Sequence, residues 1–272
     1  MNIAICCIGK LENRYIRDYA LYYKKLGVNK IYLYDNNDKD GERFNDVIQD
    51  LIDEKYVEVI DVRGQLKAQM PCYHSCYQRF GSLYDWMLFI DCGDEYLCMK
   101  EYDNLNDFLS QPKFNNFSVI HINLMTMGDG GHLRYEPKPL MERITEPCLP
   151  LNFTKTYNFP ENDHVSSIVR GKRLIAWRLT PHTPSNMLKC CDCKGKPVDS
   201  TSPFIHPFNF DVAYFKHFQT KTIEEWIDIK MRRGYPDSTK IDAARYITFE
   251  AFFKENKWTL EKQEIIDEYL KE

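Results

Sequence analysis

Residues 86–97 read Trp-Met-Leu-Phe-Ile-Asp-Cys-Gly-Asp-Glu-Tyr-Leu. The apolar run Trp86 to Ile90 makes a short buried strand, and the chain turns at once into Asp91-Cys92-Gly93-Asp94-Glu95. In open α/β sheets, ligands bind outside such carboxyl strand ends. The same unit recurs upstream. Residues 3–8 are an apolar first strand, and Glu12 to Leu26 carries Ile16, Tyr19, Ala20, Tyr23 and Leu26 at helical spacing up to Gly27. A second strand at 30–34 ends in Asp35-Asn36-Asn37-Asp38. A helix from Arg43 to Asp53, a third strand from Tyr56 to Val62 and a helix from Leu66 to Leu83 then lead back to the quoted stretch. Short strands that are apolar throughout, alternating with helices, call for a mainly parallel sheet with helices on both faces.

After Glu95 the rhythm changes. A strand is expected at Phe117 to Leu124, a loop at Met127-Gly128-Asp129-Gly130-Gly131-His132, and short strands at Ser166 to Val169 and Leu174 to Trp177. A helix from Thr222 to Arg233 takes Thr220 or Thr222 as its cap, and one or two helices follow Pro236. The class is therefore α/β with an irregular and helical C-terminal part, in a single domain over residues 1–272.

The 272 residues carry 36 basic and 40 acidic side chains, a net charge of -4, which gives no bulk attraction to nucleic acid. No apolar run approaches the roughly 20 residues of a membrane span. The N-terminus has no basic, signal-like segment, so a cytoplasmic protein is expected. The 10 cysteines are then expected as free thiols. Cys190-Cys191-Asp192-Cys193 reads either as half a zinc site, to be completed by Cys148, His182 or His206, or as a loop of reduced thiols.

No Gly-x-Gly-x-x-Gly and no P-loop follows the first strand, which argues against a dinucleotide dehydrogenase and a P-loop NTPase. The strand ends offer carboxylates instead. Carboxylates meet a diphosphate through a divalent ion, and Mg²⁺ and Mn²⁺ take one or two carboxylates plus phosphate oxygens. The acidic ends thus suggest a nucleotide-diphosphate site bridged by metal.

Several motifs, in order, carry a resemblance. Cys6-Cys7-Ile8-Gly9-Lys10-Leu11-Glu12-Asn13 and Tyr34-Asp35-Asn36-Asn37-Asp38 resemble the opening of GT-A glycosyltransferases. Trp86-x-x-Phe89-x-Asp91-x-x-Asp94-Glu95-Tyr96 resembles the Trp-x-x-Phe-x-Asp-x-Asp-Glu-Phe signature of glycosyltransferase family 92 and related family 2-like sugar transferases. His217-Phe218-x-x-Lys221-Thr222-x-Glu224-Glu225-Trp226, with Lys230 and Arg233-Gly234, is similar to that group's late block; Glu142-Arg143 and Pro181-His182 also fall where the group has such pairs. One departure stands out. The group has one residue between its two aspartates, and here Cys92 and Gly93 intervene.

The resemblance implies a GT-A, Rossmann-like fold, with residues 1–98 as nucleotide-binding half, 99–235 as acceptor half and 236–272 as C-terminal helices. It implies transfer of a sugar from a nucleotide-diphosphate sugar, a UDP-sugar, to a glycan or lipid-linked saccharide in surface polysaccharide synthesis, at the inner membrane face. Lys254, Lys257 and Trp258 are candidates for peripheral membrane contact. Mn²⁺ or Mg²⁺ would sit on Asp91, Asp94 and His217, with Asp94 an exposed carboxylate that the fold does not need. Lys10, Glu12, Asp35, Asn37, Asp91, Lys221 and Arg233 would bind the donor. Asp129, Glu142 and Arg143 are the catalytic candidates, Glu136 and Asp163 being further choices for the base, and Tyr135, Trp177 and Trp226 could stack on sugars. Two alternatives stay open: a transferase-like binding module with an impaired site, and a sugar-phosphate nucleotidyltransferase.

Overall fold

The computed structural model describes residues 1–148, 161–171, 180–184, 188–234 and 246–271. The front half is built from β1 (Ile3–Gly9), α1 (Ile16–Lys25), β2 (Lys30–Asp35), α2 (Asn45–Asp53), β3 (Val57–Asp61), α3 (Gln69–Phe80) and β4 (Trp86–Phe89). These strands lie side by side in the order β3-β2-β1-β4, all parallel. All of β1 is buried. Its side chains alternate between the faces of the sheet. Ile3, Ile5 and Cys7 pack with Ile16 and Tyr19 of α1 and Ile48 and Leu51 of α2. Ala4, Cys6 and Ile8 pack with Cys72, Tyr73, Cys76 and Tyr77 of α3. This is the doubly covered sheet expected from the apolar strands.

The back half extends the sheet. β5 (Glu95–Met99), β6 (Val119–Thr126), β7 (Val165–Arg170) and β10 (Ala213–His217) continue it in the order β7-β6-β10-β5. β7 runs antiparallel to both β4 and β6, and β5 antiparallel to β10. A small hairpin of β8 (Cys190–Cys191) and β9 (Pro197–Val198) attaches to β6. The expected strand at Leu174 to Trp177 lies outside the described residues.

Two elements depart from expectation. The acidic turn after β4 runs directly into β5, and the aromatic stretch Tyr214–His217 lies in its partner β10. The helix expected over Thr222 to Arg233 is one α-turn, α4 (Ile223–Glu225), followed by a π-helical segment, Trp226–Met231. Its cap is Thr222, in a full capping box with Glu225. Helices Phe249–Glu255 and Leu260–Tyr269 pack on this segment through Trp226, Ile227, Phe252, Ile265 and Ile266. No helix of the described residues is long and apolar enough to cross a membrane.

Candidate active site

A cavity of about 400 Å³ opens at the carboxyl ends of the parallel strands. Gly9 and Lys10 follow β1, Asn36 and Asp38 follow β2, and Asp91 and Cys92 follow β4 in its lining. The far wall carries His164, His182, His217, Lys230 and Arg233.

At its floor, Asp91, Glu95 and His217 each turn one ligand atom toward the others, all within 4.8 Å. Strand register explains the meeting, since Glu95 begins β5 and pairs directly with His217 at the end of β10. Asp91 accepts a hydrogen bond from Gln69 Nε2 at 3.2 Å, and Glu95 Oε1 accepts one from the Ser166 hydroxyl at 3.0 Å. Glu95 Oε2 and His217 Nε2 are buried with no hydrogen-bond partner. Burial, then the Asp94 charge, pushes Asp91 up to about 6. Burial, then Asp91, raises Glu95 well above the carboxylate range. Burial, then Lys230, lowers His217 to about 3. Two carboxylates and a neutral imidazole with orphaned lone pairs form a donor set suited to a divalent cation.

Asp94 has another role. It is 1% exposed, where an exposed carboxylate was expected. Its Oδ1 pairs with Lys221, and its Oδ2 accepts from Arg233 Nη2 at 2.6 Å. Arg233 also pairs with Glu12, which is fully buried, and Lys221 lies 4.4 Å from the centre of the Tyr15 ring. The reason is the inserted residue. Gly93 has φ +70°, and a β-carbon there would collide with the Glu12 carboxylate. The two-residue turn through Cys92 and Gly93 sends Asp94 into this ion cluster and leaves Glu95 beside Asp91.

Of the expected donor-binding residues, Lys10, Asp91 and Arg233 line the cavity. Lys10 pairs with Asp38 at 2.7 Å. Glu12 and Lys221 sit behind the wall in the ion cluster. Asp35 pairs with Arg63 at 2.8 Å and accepts from Asn37, whose own Oδ1 accepts from the Leu11 amide at 2.9 Å; both brace the loops rather than line the cavity.

The three catalytic candidates are not among the residues lining the cavity. Asp129 is buried against Lys262, and Glu142 is exposed. Arg143 is buried and grips Glu225 through both Nη atoms, with Glu225 also accepting from Tyr15 OH at 2.6 Å. Asp163 pairs with His206 at 2.7 Å, Glu136 is half-buried and pairs with Lys138, and Trp226 is core. Trp177 lies outside the described residues. The cysteine cluster divides between the two faces of the sheet, Cys190 to one core and Cys191 to the other, which a shared ion does not allow. Glu95 and His164 were missed. Glu95 was legible as part of the acidic run, but its direction depends on the turn.

A family model described as glycosyltransferase family 92 matches residues 3–209. The chain belongs to that family. It is similar to a family 92 protein of Ricinus communis, 28% identical over 137 residues, which are 50% of this chain and 24% of that protein. It is likewise similar to one of Oryza sativa subsp. japonica, 26% identical over 118 residues, 43% of this chain and 19% of that protein. The matches thus span a quarter or less of these curated relatives. Among solved structures it is similar to S. aureus TarS 1-349, with a TM-score of 0.41 and 12% identity over 97% of this chain and 77% of that one.

Proposed function

We propose that this family 92 chain transfers a sugar from a UDP-sugar to a saccharide or lipid-linked saccharide hydroxyl, with Mn²⁺ or Mg²⁺ held by Asp91, Glu95 and His217. The observation that carries the reading is this triad, with two orphaned ligand atoms, on the floor of a cavity whose walls hold Lys10, Lys230 and Arg233. The imidazole favours Mn²⁺ over Mg²⁺. A divalent ion there supplies charge neutralisation to the diphosphate. Lys10, Lys230 and Arg233 offer N–H donors where the leaving diphosphate gains negative charge. Gln69 orients Asp91, and Ser166 orients Glu95. The acceptor class, surface polysaccharide synthesis and a cytoplasmic site at the inner membrane face rest on the motif resemblance; the exposed Lys254, Lys257 and Trp258 support peripheral contact.

The test is a thermal-shift screen of UDP, GDP, CMP and ADP, each with and without Mn²⁺, because a ligand of the folded state raises the melting temperature by mass action. A UDP shift that requires Mn²⁺ is expected. A UDP shift indifferent to metal would favour the binding-module alternative, and no shift with any nucleotide would sink the reading.

A further inference from the structure

The cavity wall holds a histidine that the ion site does not use. His182 Nδ1 lies 2.6 Å from the Val165 carbonyl oxygen. A carbonyl only accepts, so Nδ1 carries the proton and Nε2 keeps its lone pair. That Nε2 makes no hydrogen bond among the described residues, and His182 lines the cavity. It stands outside the group of three ligand residues.

Among the described residues that line the cavity, the carboxylates and His217 are committed. Asp94 is held by Lys221 and Arg233, and Asp38 by Lys10. Asp91, Glu95 and His217 form the ion site. His164 packs between the rings of His182, at 3.8 Å, and Phe204, at 5.1 Å, and among the described residues no hydrogen bond fixes its tautomer. Asp129 and Glu142 do not line the cavity.

We infer that His182 is the base that deprotonates the acceptor hydroxyl. This rests on the donor reading above. The acceptor oxygen bonds to the anomeric carbon while the bond from that carbon to the diphosphate oxygen breaks. Both electrons of the broken bond leave on the nucleoside diphosphate, and the hydroxyl proton ends on His182 Nε2. Val165 holds the ring in the required tautomer.

The experiment uses the full chain with Mn²⁺ and water as the acceptor probe, following UDP release from UDP-glucose, UDP-galactose and UDP-GlcNAc. His182→Ala is compared with His182→Asn, whose amide can still donate to Val165 from the Nδ position. Both variants are expected to keep the Mn²⁺-dependent UDP thermal shift and to lose on the order of 10² in hydrolysis. Added imidazole is expected to restore His182→Ala. Hydrolysis within threefold of wild type in either variant overturns the assignment. So does a folded, UDP-binding His182→Ala that imidazole does not restore. A wild-type chain with neither the UDP shift nor hydrolysis overturns the donor reading itself, and this assignment with it.

Discussion

Asp94 and Glu95 are neighbours with the same charge and opposite circumstances. Asp94 neutralises the buried Lys221 and the partly buried Arg233, while Glu95 keeps an orphaned oxygen toward the proposed ion site. Glu95→Gln is therefore expected to remove the metal dependence of the UDP thermal shift without unfolding the protein. Asp94→Asn leaves Lys221 and Arg233 short of a counter-charge, and urea unfolding should show a loss of about 3–5 kcal/mol. Equal effects of the two changes on stability would refute this division. His121 gives a pH prediction. It is 1% exposed, its Nδ1 is 3.0 Å from Ser167 Oγ, and burial lowers it to about 4. A histidine depressed below its unfolded value of about 6.5 contributes stability that is complete above that pH and lost as pH falls toward 4. Lowering the pH from 7 to 4.5 is expected to cost about 2–3 kcal/mol through this residue. His121→Asn should show a correspondingly smaller drop in urea unfolding, and parallel curves would exclude the assignment. Motif order placed Asp91 and His217 together as candidates; Glu95 was visible in the acidic run, but its direction was not, because the sequence does not show the backbone angle at Gly93 that aims it.

At the scale of elements, the short α4 depends on one carboxylate. Glu225 closes the capping box with Thr222, accepts the Tyr15 hydroxyl and neutralises Arg143. Burial opposes its charge, but the Arg143 bond and charge, the Tyr15 hydroxyl and the Lys221 charge together outweigh it, so its carboxyl lies below the usual range. Arg143→Met leaves that charge unpaired in the interior and is expected to cost about 3–5 kcal/mol by chemical denaturation. The loss should be far smaller when Glu225→Gln is already present. Additive losses in the two-site cycle would show that the pair does not matter. The helix was legible from its cap and its acidic first turn. Its passage into a π-helix was not, since period 3.6 in the sequence does not reveal where packing around Trp226 widens a turn.

Across the whole molecule, the last two helices fasten the Gly-rich loop to the π-helical segment. Asp129 pairs with Lys262, its amide donates to Asn256 Oδ1 at 2.6 Å, and Lys262 Nζ donates to the Lys257 carbonyl at 2.7 Å. The Asp129 side chain is only 7% exposed and that of Lys262 2%. Asp129→Asn should thus lower the melting temperature, with a cost of about 3–5 kcal/mol for the stranded ammonium. The UDP shift with Mn²⁺ should persist, because the cavity wall is untouched. Loss of that shift in a folded Asp129→Asn protein would place Asp129 in the site after all.

The amino-acid sequence by itself determined the alternation of apolar strands and amphipathic helices, the polar strand ends and the family motifs in their order. These are local, because burial on two faces or one writes a period into the chain. Tertiary structure decided which charged residues converge at the proposed ion site and which neutralise each other. Glu95 meets His217 only through the register of β5 against β10, and Arg233 reaches Asp94 and Glu12 only after the chain has returned past the sheet. Side-chain direction at a turn and pairing between distant strands follow from backbone angles and packing of the whole chain, and residue type alone does not encode them.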